Sequence, residues 1–279
     1  MGRRRQPRRW ESSLCGALEA LGAHRDAIVL VGAQAVYLHV GAADLAVRPY
    51  TTDGDLVLDP ARLGEIPPLE RALTEAGFLP KRSDTVGVWI TKRPESSGSQ
   101  AEVCVDLLVP AGVSPGKGRR AARLTGHDAL AARKVIGLEG ALVDVELRKI
   151  GALSEDDGRV FDVQVAGPAA LLVAKLIKID DRIGTERYSD KDALDVIRLL
   201  RGTDTNQLAD RMNRLLGDAR CVEVTTRALA VLERDFAKRD RPGVEMAIRS
   251  AGDLIDADEL AMSCEILSGD LLAVLGRRD

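Results

Sequence analysis

The segment Thr51-Thr52-Asp53-Gly54-Asp55-Leu56-Val57-Leu58-Asp59-Pro60 has the form of a strand that begins polar, turns apolar and stops at proline. Residues two apart on a strand share a face, so Asp53 and Asp55 project side by side while Gly54 and Leu56 face the other way. Two carboxylates that close repel unless a cation stands between them. A hard divalent ion, Mg²⁺ or Mn²⁺, held by a few carboxylates and by substrate phosphates fits that arrangement. A DxD pair at a strand end also serves simply to solvate or cap a turn. Asp59 is in register with Asp55 but precedes Pro60, and reads as a turn residue.

Upstream, Val29-Leu30-Val31-Gly32-Ala33-Gln34-Ala35 reads as strand, glycine turn and helix start. Such a turn offers backbone N–H groups at Gly32 and Ala33 to a phosphate, and is equally a plain strand–helix junction. Downstream, Ala101 to Pro110 is another strand, on which Glu102, Cys104 and Asp106 share a face. Three carboxylates, Asp53, Asp55 and Asp106, on adjacent strands suit a pair of metal ions clamping an in-line displacement. The third is also placed to take a proton from an attacking hydroxyl.

Around these segments, residues 11–22 and 69–78 carry helical spacing, and 85–92, 143–150 and 159–167 read as strands. After Gly167-Pro168 every segment has helical period. The predicted organisation is a basic tail (1–9), an α/β (α+β) domain with a mixed sheet and flanking helices (10–167), and an all-helical domain (168–279). In the latter, Lys175, Lys178 and Arg182 are spaced i, i+3, i+7 and line one helix face. That face is either a phosphate ligand or a solvated charged surface. Lys191 and Asp192 open the next helix, where they also suit capping and the helix dipole.

The 279 residues carry 40 Lys plus Arg against 43 Asp plus Glu, so a uniformly basic nucleic-acid coat is excluded and any such contact is local. Aromatic residues are 3%, too few for stacking to be a main binding mode. Cys15, Cys104, Cys221 and Cys264 form no CxxC clip, and His24, His39 and His127 lie far apart, which argues against a zinc site. The cysteine usage and the lack of an apolar targeting segment predict a cytoplasmic protein with no membrane partner. The 28–47 apolar run is interrupted by Gln34, His39 and Asp44 and does not read as a membrane span.

Taken together, VGAQAVYLHVG (31–41), RPYTTDGDL (48–56), VDLLVP (105–110), PAALLVAKLIKIDDR (168–182) and SDKDALDVIRLL (189–200) resemble the polymerase-β-like nucleotidyltransferase superfamily. Within it they look like the AbiEii/MenT group of bacterial nucleotidyltransferase toxins. The resemblance implies that Gly32 shapes a phosphate turn and that Asp53, Asp55 and Asp106 hold the metal. Thr51 matches a Ser/Thr of the family. Lys175 matches the lysine that holds the triphosphate, and Arg182 with Lys191-Asp192 matches a later R…KD block, placing Lys175 and Asp192 in the catalytic set and Lys178 and Arg182 with the nucleotide. Ala33 brings no hydroxyl to the turn. The activity so implied is metal-dependent transfer of NMP from an NTP to the 3′ end of tRNA, by a toxin with a cognate antitoxin. A small-molecule or protein hydroxyl as acceptor, or a non-catalytic binding protein on the same fold, remains open. Lys117, Arg119, Arg120 and Arg123, in the basic segment 117–134, are the candidates for RNA contact, a segment that also reads as a solvated loop.

Overall fold

The computed structural model describes residues 9–41, 53–94, 100–114, 118, 120–151, 159–185 and 189–276. Thr51, Lys117, Arg119 and the tail 1–8 therefore lie outside the described residues. The protein is mixed α/β, with a sheet built from its first half and a helical C-terminal region. Its chain divides into two compact units. One comprises Met1–Leu30, Tyr50–Val135 and Glu146–Val165; the other comprises Val31–Pro49, Ile136–Val145 and Ala166–Asp279.

The first unit opens with α1 (Arg9–Ala20), whose Leu14 and Leu18 are buried along with Leu21 just beyond its end. Its sheet has eight strands among the described residues: β1 (Ile28–Val31), β2 (Asp53–Leu58), β3 (Leu79–Pro80), β4 (Val88–Pro94), β5 (Gln100–Pro110), β6 (Arg133–Val135), β7 (Val145–Gly151) and β8 (Val160–Ala166). The spatial order is β3-β4-β5-β2-β1-β8-β7, with β6 also pairing β5. β1 is an unbroken apolar run, Ile28 to Val31, and every residue of it is buried. That is what a central strand covered on both faces requires, and β1 runs parallel to β8 accordingly.

β5 organises the acidic end of the sheet. One edge pairs in parallel with β2, and the other pairs antiparallel with β4 over its first seven residues. β6 takes up the rest, setting Arg133, Lys134 and Val135 opposite Leu108, Val109 and Pro110. Gly87 sits at the changeover, where its N–H bonds Leu130 O and its carbonyl accepts from Leu107 N. Its φ is +68°, and an added Cβ would stand 2.6 Å from Leu107 O and 2.7 Å from Arg133 N. Only glycine fits so close an approach of three segments. Neither β3 nor β6 has a local strand signal. Both exist because a neighbouring edge supplies hydrogen bonds, and Pro80, lacking an N–H, is confined to the outermost strand.

The helical unit contains α2 (Gly32–Val40), α4 (Pro168–Arg182), α5 (Lys191–Gly202), α6 (Thr205–Leu216), α7 (Val222–Phe236), α8 (Pro242–Ala251) and α9 (Ala257–Val274); α3 (Leu69–Glu75) belongs to the first unit. α4 starts at proline after a glycine N-cap with no side chain to offer. The cap comes from a distance: the buried Asp144 carboxylate accepts from the N–H groups of Ala169 and Ala170 and is paired with Arg211 at 2.7 Å. A Cβ on Gly167 would lie 2.3 Å from that carboxylate. Residues 136–145 thus group with the helices because their last aspartate holds the α4 N-terminus.

Candidate active site

The parallel register of β2 and β5 brings the sequence-selected carboxylates of the sheet onto one face. Asp53 pairs with Cys104 and Asp55 with Asp106, and register partners on adjacent strands stand about 4.8 Å apart. Asp53 is exposed, Asp55 and Asp106 are half-buried, and the alternate residues Gly54, Leu56, Val105 and Leu107 are buried. The charged face is thereby exposed to solvent in part while its opposite face is core. Cys104 reports the local field: burial, then the charges of Asp106 and Asp53, push its thiol up to about 12. The thiol donates to Asp106 Oδ1 at 3.7 Å.

Two cations stand on this face: Arg133, which the sequence reading placed only in the basic segment 117–134, and Lys81, which it did not single out. Arg133 Nη2 donates to Asp106 Oδ2 in an ion pair. Lys81, just after β3, lies 3.3 Å from Glu102. Its amine is held above its ordinary range first by that hydrogen bond, then by Cys104 and Glu102, with a smaller contribution from Asp53. No local signal marks either residue, since Arg133 reaches across 27 positions and Lys81 across 21. Read as part of a basic segment, Arg133 is instead tied to the third carboxylate of the acidic face.

Oxygen donors of this kind suit a hard divalent cation. Among the described residues, however, no group of three or more His, Cys, Asp or Glu is gathered so as to hold a metal ion. Asp106 is engaged by Arg133 instead.

The helical unit holds a separate charged cluster. Lys175 Nζ donates to Asp192 Oδ1 at 3.0 Å and Asp195 Oδ2 at 2.6 Å. Lys178 Nζ bonds Asp192 Oδ1 at 2.9 Å, and Arg182 Nη1 lies 4.0 Å from Asp192 Oδ2. Arg198 bonds Asp195 at 2.8 Å and lies over the Tyr37 ring, 5.3 Å from its centre. Burial works against the Lys175 charge, but Asp195 and Asp192 more than offset it and hold the ammonium above its ordinary range. Burial likewise opposes the Asp192 charge, and Lys175 and Lys178 override it, so the carboxyl stays below its ordinary range. Lys178 is pushed down by burial and by Lys175.

This geometry changes how the helix face is read. Lys175 is only 7% exposed and bonds two carboxylates, whereas the side chains of Lys178 and Arg182 are 40% and 32% exposed. The three cations do not form one solvent-facing row. Asp192 does not cap α5 either: the N-cap is Asp190, whose carboxylate is bound by Arg249, and Asp192 is buried in the lysine cluster. Among the described residues, Lys175, Lys178, Arg182 and Arg198 all converge on Asp192 and Asp195.

Gly32 has φ +75° and opens α2, and no side chain caps that helix start. Arg120 and Arg123 are exposed on a segment whose backbone is tied to residues 132–134 by Ala122 N to Ala132 O and Lys134 N to Arg120 O. The histidines bind backbone: His24 to Pro67 O, His39 to Ala166 O, and His127 to Gly64 O while its Nδ1 accepts from Leu69 N. Asp59 accepts from Ala61 N in a turn. All four cysteines are free thiols.

A parallel strand pair thus presents three aspartates on one face, in a mixed α/β chain with a helical second half. The profile of the Nucleotidyltransferase family matches residues 11–217, and the chain belongs to that family. A search of curated proteins gives no match. Among solved structures, the crystal structure of an antigenic nucleotidyltransferase-like protein from Paracoccidioides brasiliensis is similar, with 15% identity over 79% of this chain and 93% of that one and a TM-score of 0.43. Among the described residues no helix is long and apolar enough to cross a membrane.

Proposed function

We propose that this transferase moves a nucleoside monophosphate from an NTP to the 3′-terminal hydroxyl of tRNA, as the toxin of a toxin–antitoxin pair. The observation that carries the reading is the β2–β5 register, which sets Asp55 beside Asp106 with Asp53 two residues away on the same face. Asp53, Asp55 and Asp106 are the residues that would hold Mg²⁺ or Mn²⁺. When bound, the ion supplies charge neutralisation at the α-phosphate and at the departing pyrophosphate. The hydroxyl oxygen forms the new bond to the α-phosphorus as the bond to pyrophosphate breaks, and a carboxylate of this face takes the hydroxyl proton.

In the helical unit, Lys178 and Arg182 keep the exposure a phosphate ligand needs, and Lys175 and Asp192 fix their positions. Arg120 and Arg123 are exposed cations suited to RNA phosphates. Incubation with each α-labelled NTP, Mg²⁺ and total tRNA tests the reading. Label should appear in tRNA with one NTP preferred. Label in no RNA, with transfer to protein or a small molecule instead, would replace the acceptor. No transfer from any NTP would remove the activity.

A further inference from the structure

We infer that Arg133 is a built-in cation that competes with the divalent ion for Asp106, so that the three-aspartate set is complete only after Arg133 lets go. The inference rests on the metal-dependent reading above and concerns a residue that reading does not use. Leu108 and Arg133 are register partners, and Asp106 lies two residues before Leu108 on the same face of β5. The arginine therefore projects toward the acidic face, where its Nη2 bonds Asp106. Its place is fixed from both sides, by a bridge to Ala121 and by the close approach of Gly87.

The bond is built to be released. The side chain of Arg133 is 36% exposed, so the pair borders solvent rather than lying in the core. Its Nε is buried and has no hydrogen-bond partner, so the paired conformation leaves one donor unsatisfied. A carboxylate shared with a divalent ion is also a weaker acceptor for a cation, because the ion repels the guanidinium. Arg133 thus keeps the charge of Asp106 compensated while no ion is bound.

The test uses the full chain without nucleotide and Mn²⁺ as the probe, its free concentration read by EPR. Arg133→Gln should bind Mn²⁺ about five-fold more tightly than the wild type, the upper range for a part-exposed ion pair. On an Asp106→Asn background the same change should shift Mn²⁺ affinity less than about two-fold, since the competition has been removed. Arg133→Lys, which keeps the charge but loses the planar fork, should fall between and serves where the glutamine variant does not fold. Equal or weaker Mn²⁺ binding by both arginine variants, with wild-type binding intact, overturns the competition and leaves the proposed function standing. Absence of Mn²⁺ binding by wild type and variants alike at millimolar concentrations also overturns the competition, and the labelled-NTP assay then decides the function by itself.

Discussion

Lys175→Met separates two roles for the lysine that the sequence puts at the nucleotide. The structure buries it against Asp192 and Asp195, and methionine keeps most of its length while deleting the charge. Removing one partner of a buried ion pair typically costs 3–5 kcal/mol. Asp192 keeps Lys178, and Asp195 keeps Arg198, so the lower end applies, about 3 kcal/mol. The loss carries a pH signature. In the wild type the folded Asp192 lies below its ordinary range, so its contribution is present above the unfolded carboxylate pKa and is lost as pH falls through the folded value. In the variant burial is less opposed and the carboxyl rises, so protonation relieves it. The stability gap should be about 3 kcal/mol at pH 7 and shrink toward pH 4. Urea unfolding followed by far-UV CD at the two pH values measures it. A gap under about 1 kcal/mol at pH 7 would refute the structural role. If NTP affinity fell sharply at the same time, Lys175 would be a phosphate ligand after all.

Asp53→Ala or Asp55→Ala should abolish nucleotidyl transfer while the protein stays folded. Retention of the fold is read by a thermal melt beside the labelled-NTP assay. Reversing charge at Arg119, Arg120 and Arg123 together should raise the apparent KM for tRNA and flatten its salt dependence, with the KM for NTP nearly unchanged. Gly87→Ala should cost at least about 2 kcal/mol, since it adds left-handed strain to a backbone clash with Leu107 and Arg133, and denaturant unfolding would show it.

Periodicity within single segments was enough to read the strands around β1, β2 and β5, helix α1 and the helical second half. Burial of one face imposes a repeat of two or 3.6 on a short stretch of chain, and that repeat is written locally. The alternation Asp53-Gly54-Asp55 and Glu102-Val103-Cys104-Val105-Asp106 likewise named the acidic face before any strand was paired. Tertiary structure alone decided what those groups meet. Strand β6 exists because β5 outruns β4, and its Arg133 reaches Asp106 across 27 residues of sequence. Asp144 caps a helix that begins 24 residues later, and Lys175 is drawn into the core by two aspartates on the following helix. None of these follows from local pattern. Desolvation and ion pairing depend on which surfaces are brought together, and a charged residue in the sequence looks the same whether water or a carboxylate will face it.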